Sequence, residues 1–189
     1  MKRRLRFVPC LVLIFALAPA APSQSLESYA SLKDPQIVNR PALKMLVVES
    51  KGDPNTAAQV AMATLFRAFY KIPFAKMAAP RSRWSDIQTA PKSDWSGVFG
   101  LPIPDDTKGL PEGVTGVRIE TWAYGDVAEI LHVGSYDREA TTVERLMKFI
   151  ADKGYVAAGP HEEEYLAGPG MVAEPAKYQT IIRYQVKKK

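Results

Sequence analysis

The chain has 189 residues, about one domain's worth. Apolar residues make up 47% and charged residues 24%, which excludes disordered, collagenous and coiled-coil chains. The net charge of +5 sits at the two ends. Lys2, Arg3, Arg4 and Arg6 carry four of the charges, and Lys187, Lys188 and Lys189 form a basic tail. The body between is slightly acidic and lacks the basic face of a general nucleic-acid binder.

Lys and Arg at 2–6 precede an apolar run from Phe7 to Ala18, then small residues through Ser23. This is the order of a secretory signal. Residues 1–23 are therefore expected to be a signal peptide, cleaved after Ala20 or Ser23, with the mature chain periplasmic or secreted. The alternative is an uncleaved N-terminal anchor, the one route to a membrane. The run is shorter than the roughly 20 residues of a membrane-spanning helix. Cys10, the single cysteine, falls inside this segment, so the mature chain is expected to have no disulfide and no cysteine metal site.

Residues 24–40 are polar and read as a linker into a domain over 41–187. A strand is predicted over 43–48. Gly52-Asp53-Pro54-Asn55 breaks it, and Asn55 can cap the helix that follows over 57–70. Ala61, Leu65, Ala68 and Phe69 share an apolar stripe at helical spacing, and Tyr70 at its end is assigned to the core. Residues 74–94 read as irregular, with a strand over 95–101 and a proline-marked loop after it. Two strands, 117–124 and 127–133, flank a tight turn at Gly125-Asp126. Val143, Leu146, Met147 and Ile150 mark a second helix ending at Lys153. Thr141 with Glu144 fits a capping box, with a start one turn earlier left open, and Gly154 suits the left-handed residue that ends a helix. The last strands are 162–166 and 178–186.

The order strand, helix, strand, strand occurs twice, over about 41–124 and 126–186. Each strand-to-helix junction contains a glycine, Gly52 or Gly134. One copy alone leaves a sheet face uncovered. Two copies give an α+β fold: a duplicated β-α-β-β unit, one antiparallel sheet, two main helices on one face.

Three runs in the C-terminal half carry a resemblance. They are Ala128-x-x-Leu131-His132-x-Gly134-x-Tyr136, Gly154-Tyr155-x-x-x-Gly159-Pro160-x-x-Glu163-x-Tyr165-Leu166, and Tyr178-x-Thr180-x-Ile182. Together they resemble the GyrI-like small-molecule-binding domain of the SOUL and effector-binding superfamily. The match spans roughly 116–186, and residues 52–71 are similar to a stand-alone branch of that family. The resemblance implies a ligand cleft between the repeats, with the glutamate of the Glu-x-Tyr-Leu strand, here Glu163, inside it. The family also includes hydrolases of cyclopropane-bearing DNA-alkylating compounds in which the same glutamate is implicated. The chain departs from the family's regulators in its export segment and in lacking a helix-turn-helix pattern, so a whole regulator is not expected.

The residues by themselves leave such a site open, and it is the resemblance that singles out Glu163. Alternate side chains share a strand face, so Glu163 points with Tyr165 and away from Glu162 and Glu164. A carboxylate beside an aromatic ring suits a flat cationic or polarised ligand. It is also suited to general acid or base work. The competing reading of the Glu162-Glu163-Glu164 run is a solvated edge strand. Trp122 and Tyr124 lie on the face opposite the helical core, as ligand contacts or as interface aromatics. Tyr136 either touches ligand or packs on the second helix. Trp95 and Trp84 either close over the cleft or pin a loop. His132 and His161 fit no metal-ligand spacing and read as structural. No metal and no cofactor are expected, and no histidine stands in an axial position for a tetrapyrrole. Three functions remain open. The first is capture of a hydrophobic or aromatic, possibly cationic, small molecule. The second is hydrolysis of a strained electrophile by the same glutamate. The third is a structural or interaction domain without ligand.

Overall fold

A computed structural model describes residues 26–85 and 91–189; the expected signal segment lies outside them. The chain forms β1 (Gln36–Arg40), β2 (Leu43–Lys51), α1 (Pro54–Phe69), β3 (Arg81–Ser85), β4 (Ser96–Pro102), β5 (Arg118–Trp122), β6 (Gly125–Val133), α2 (Ala140–Asp152), β7 (Tyr155–Ala157), β8 (His161–Ala167) and β9 (Gln179–Lys188). α1 starts at Pro54, which needs no hydrogen-bond donor in the first turn. The Asp53 carbonyl accepts from the N–H groups of Thr56 and Ala57. The side chain of Asn55, the expected cap, lies outside the described residues. α2 begins at Ala140 after a 3-10 turn at Tyr136–Arg138, and Glu139 caps it without a side-chain bond. Thr141 is thus already inside the helix, and the capping box with Glu144 does not form. Gly154, at φ +76°, ends the helix by donating to Ala151 O.

Every strand pairing is antiparallel, and the sheet order is β1-β6-β9-β8-β3-β4-β2-β5, with β7 on the end of β9. The order is symmetric about the β8–β3 pair. On one side stand β8, β9 and β6 of the second unit; on the other stand β3, β4 and β2 of the first. The duplication read from the sequence is therefore a topological two-fold. The edge strands are exchanged: β1 precedes β2 but pairs with β6, and β5 precedes β6 but pairs with β2. This corrects the expected hairpin at Gly125-Asp126. β5 and β6 do not pair with each other. The short links 41–42 and 123–124 cross from one end of the strand order to the other, which curls the sheet into a half-barrel. Gln185 Nε2 clips the seam by donating to Ala123 O at 2.9 Å and Tyr124 O at 3.0 Å.

Three further expectations change. The stretch 24–40 is not only a leader, since Gln36–Arg40 is a strand of the sheet. The irregular stretch 74–94 contains β3, at the centre of the molecule. Tyr70 is 73% exposed rather than core, because the chain turns after Phe69 and Ile72 takes the buried place.

β2 shows why both sheet faces matter. Met45, Leu46, Val47 and Val48 are all buried, although alternate residues face opposite ways. Leu46 and Val48 join Leu65, Ala68, Phe69, Trp84 and Phe99 under α1. Met45 and Val47 pack with Trp122, Tyr124 and Val127 on the inner face of the curl. A third cluster, with Ile130, Leu146, Ile150, Ile182 and Tyr184, lies under α2. The two helix-side cores leave the central β8–β3 pair between them.

Candidate ligand-binding site

Glu163 stands on β8 directly opposite Ser82 of β3, at the seam between the two units. Strand alternation puts His161, Glu163 and Tyr165 on the helix-side face, between the core under α1 and the core under α2. Glu163 is 9% exposed. Its Oε1 meets His161 Nε2 at 2.9 Å, and His161 Nδ1 meets Tyr184 Oη at 2.8 Å. Tyr165 Oη sits 2.7 Å from Ser82 Oγ, a fully buried hydroxyl, and also bonds to Glu163 and Trp84. Desolvation first, and the Glu163 carboxylate second, hold the Tyr165 hydroxyl well above its usual range.

The turn before α2 supplies the other wall. Tyr136, 39% exposed, crosses Tyr165 edge-on at 5.8 Å and lies 5.4 Å from Tyr178. Gly168 leaves it room, because a Cβ there would come within 2.7 Å of the Tyr136 hydroxyl. Glu139 approaches from the same turn. One ligand atom each of Glu139, His161 and Glu163 lies within 4.8 Å of the other two. Burial, and then the charge of Glu163, push the Glu139 carboxyl up to about 9. From the α1 side, Trp84 packs edge-on against Phe99 at 5.3 Å and Trp95 at 6.1 Å. Among the described residues, no lysine or arginine forms an ion pair with Glu139 or Glu163. The setting of the two acids is aromatic.

The inner face of the curl is its electrostatic opposite. Glu162 and Glu164, the neighbours of Glu163, point there and are 3% and 9% exposed. They are not solvated edge residues. Arg183 reaches Glu129, Glu162 and Glu164 at 3.0, 2.8 and 3.0 Å. Arg83 and Arg81 add contacts to Glu162 and Glu164 at 2.8 and 3.1 Å. Trp122 and Tyr124 belong to this face and do not meet Glu163. The Arg83 guanidinium stacks over Trp122 at 4.1 Å, and Tyr124 donates to Glu162 at 2.9 Å. Each acid here pairs with guanidinium groups, whereas among the described residues Glu139 and Glu163 pair with none.

Of the residues singled out in the sequence, the structure therefore gathers Glu163, Tyr165, Tyr136 and Trp95 around the seam, with Trp95 reaching it through Trp84. Trp122 and Tyr124 stand behind the sheet. Missed in the sequence were Glu139, His161, Ser82 and Tyr184. Ser82 and Glu139 come from other elements, and no spacing along the chain links them to β8. His161 was legible, since it is two residues before Glu163 on the same strand face. Two surface depressions, of 280 and 210 Å³, lie elsewhere. The larger holds Glu49 and Arg118, which already pair with each other at 2.9 Å, so neither gathers free acid groups as the seam does.

The chain is thus a curled antiparallel sheet built from two similar units, with two helices on its outer face. The family model described as the GyrI-like small molecule binding domain matches residues 33–187, and the chain belongs to that family. Among solved structures, an uncharacterized conserved protein from Listeria innocua aligns with a TM-score of 0.72 at 23% identity, over 85% of this chain and 96% of its own. A protein from Listeria innocua described as a hydrolase aligns at 0.69 and 22% identity, over 85% and 95%. The EcmrR C-terminal domain aligns at 0.69 and 16% identity, over 82% and 98%. These likenesses show the shared fold. A comparison with curated proteins gave no match.

Proposed function

We propose that this chain is an exported protein that captures a flat, cationic aromatic small molecule in the seam groove, with Glu163 as the anionic anchor. One observation carries the reading: Glu163 is a buried carboxylate beside Tyr165 and Tyr136, and among the described residues no lysine or arginine pairs with it. A carboxylate in a partly dry groove gains more from a cation than one in water, because screening falls. Aromatic walls add stacking and cation–π attraction. Export rests on the basic start and apolar run of residues 1–23. N-terminal sequencing of periplasmic protein checks it, with a start between about Ala20 and Gln24 expected.

The binding test uses ethidium as a planar cation, titrated against tryptophan fluorescence. Losing a charge-assisted contact costs about 1.5–3 kcal/mol, so Glu163→Gln is expected to weaken binding roughly ten- to a hundredfold. Equal affinity of the variant and the native chain contradicts the reading. The convergence of Glu139 on Glu163 supports a second reading, hydrolysis of a strained electrophile with one carboxyl donating a proton and the other accepting one. Turnover of a cyclopropane-bearing electrophile, lost in Glu163→Gln, is its test.

A further inference from the structure

We propose that Glu139, His161 and Glu163 form a binding site for one divalent first-row transition metal ion, of the zinc type. The three residues come from two elements, the turn before α2 and strand β8, and their ligand atoms lie within 4.8 Å of one another. Bonds of about 2.0–2.2 Å to a tetrahedral centre put ligand atoms roughly 3.4 Å apart. Side-chain rotations of about an ångström therefore close the trio on a metal, and His161 Nε2 and Glu163 Oε1 are already at 2.9 Å.

Two independent features point to a missing cation. First, Glu139 Oε1 is fully buried and has no hydrogen-bond partner. A buried carboxyl oxygen left unpaired is costly, and a bound cation would satisfy it. Second, His161 is held as a metal-ligating histidine is held. Tyr184 Oη fixes Nδ1 at 2.8 Å, which turns Nε2 toward the two carboxylates. A partner on the other ring nitrogen is the usual outer support of such a ligand. The contrast with the inner face is direct. There, Glu129, Glu162 and Glu164 are neutralised by arginines; at the seam, among the described residues, neither Glu139 nor Glu163 pairs with a lysine or arginine.

The donor set selects the ion. One imidazole with two carboxylates suits Zn²⁺ or Co²⁺, and the imidazole disfavours Mg²⁺ and Ca²⁺, which want oxygen alone. Two carboxylates against a dication leave the site neutral, as a dry groove requires. Three protein donors leave a coordination position open to water.

The test is titration of Zn²⁺, and of Co²⁺ followed by its visible absorption, into the full untagged chain after chelator treatment. One ion per chain is expected, with the absorption of a four- or five-coordinate cobalt. Glu139→Gln and His161→Gln should remove this binding, Tyr184→Phe should weaken it about tenfold, and His132→Gln should leave it unchanged. Glu139 lies at a half-buried helix start, so its variant keeps the fold, which circular dichroism verifies. Absence of stoichiometric Zn²⁺ binding, or binding that persists undiminished in Glu139→Gln, overturns the site. This inference shares Glu163 with the proposed function, and ethidium titration of the chelator-treated native chain separates the two: dye binding without metal binding overturns the metal site alone, and metal binding without dye binding overturns the proposed function alone.

Discussion

Glu129 has no exposed surface and lies against two guanidinium groups, Arg40 and Arg183. Burial alone would raise its carboxyl, but the bonds and charges of Arg40 and Arg183 outweigh burial and hold it below the usual 4.5. The sign follows. A depressed carboxyl stabilises the fold fully above about 4.5, and that contribution is lost as pH falls through its folded value. Urea midpoints measured from neutral pH down to pH 3 should fall on the acid side, and less steeply in Glu129→Gln. Superimposable acid limbs in the two proteins contradict this role. The residue scale is also where the sequence was least readable. The run Glu162-Glu163-Glu164 looks like a solvated edge until Arg81, Arg83 and Arg183 are placed opposite it, and those arginines come from β3 and β9. Alternation correctly separated Glu163 from its neighbours. It could not show that the neighbours are buried.

β3 and β4 depend on close backbone approach. Gly97 lies opposite Trp84, and a Cβ there would stand 2.7 Å from Trp84 Cζ3. The indole cannot swing aside, since Trp95 and Phe99 hold it edge-on. Gly97→Ala is therefore expected to destabilise by about 1–3 kcal/mol. It should also alter tryptophan emission, because the ring it pushes packs edge-on against Trp95 and Phe99. A thermal denaturation midpoint within one degree of the native value contradicts that packing. The same pair explains an element missed in the sequence. β3 is five residues, Arg81-Ser-Arg-Trp-Ser85, with no apolar alternation, because its inner face carries the arginines of the ion network. A strand that alternates charge with Ser and Trp reads as a loop. The longer elements were legible for the opposite reason. α2 shows its apolar stripe at helical spacing, and β2 and β9 are apolar where both faces are covered.

The whole molecule is two similar units joined at β3 and β8, with edge strands exchanged across the ends of the sheet. Duplication was legible because the order of elements repeats. The exchange was not, since pairing partners more than seventy residues apart leave no local trace, and a glycine turn between two strands reads as a hairpin. Yet the exchange curls the sheet and so gives the molecule two unlike faces. The inner face buries a network neutralised by arginines, and on the outer face, among the described residues, Glu139 and Glu163 pair with no lysine or arginine. The central claim is that this division assigns different work to adjacent glutamates of one strand. It is tested most directly by measuring both unfolding stability and ethidium affinity for Glu163→Gln and Glu162→Gln. The account predicts that Glu163→Gln unfolds close to the native midpoint and binds ten- to a hundredfold more weakly. It predicts that Glu162→Gln, which breaks a buried ion pair, loses about 3–5 kcal/mol of stability and keeps native affinity wherever it is folded. Equal losses of affinity in the two variants, or a Glu163→Gln protein that binds as the native chain does, would contradict it.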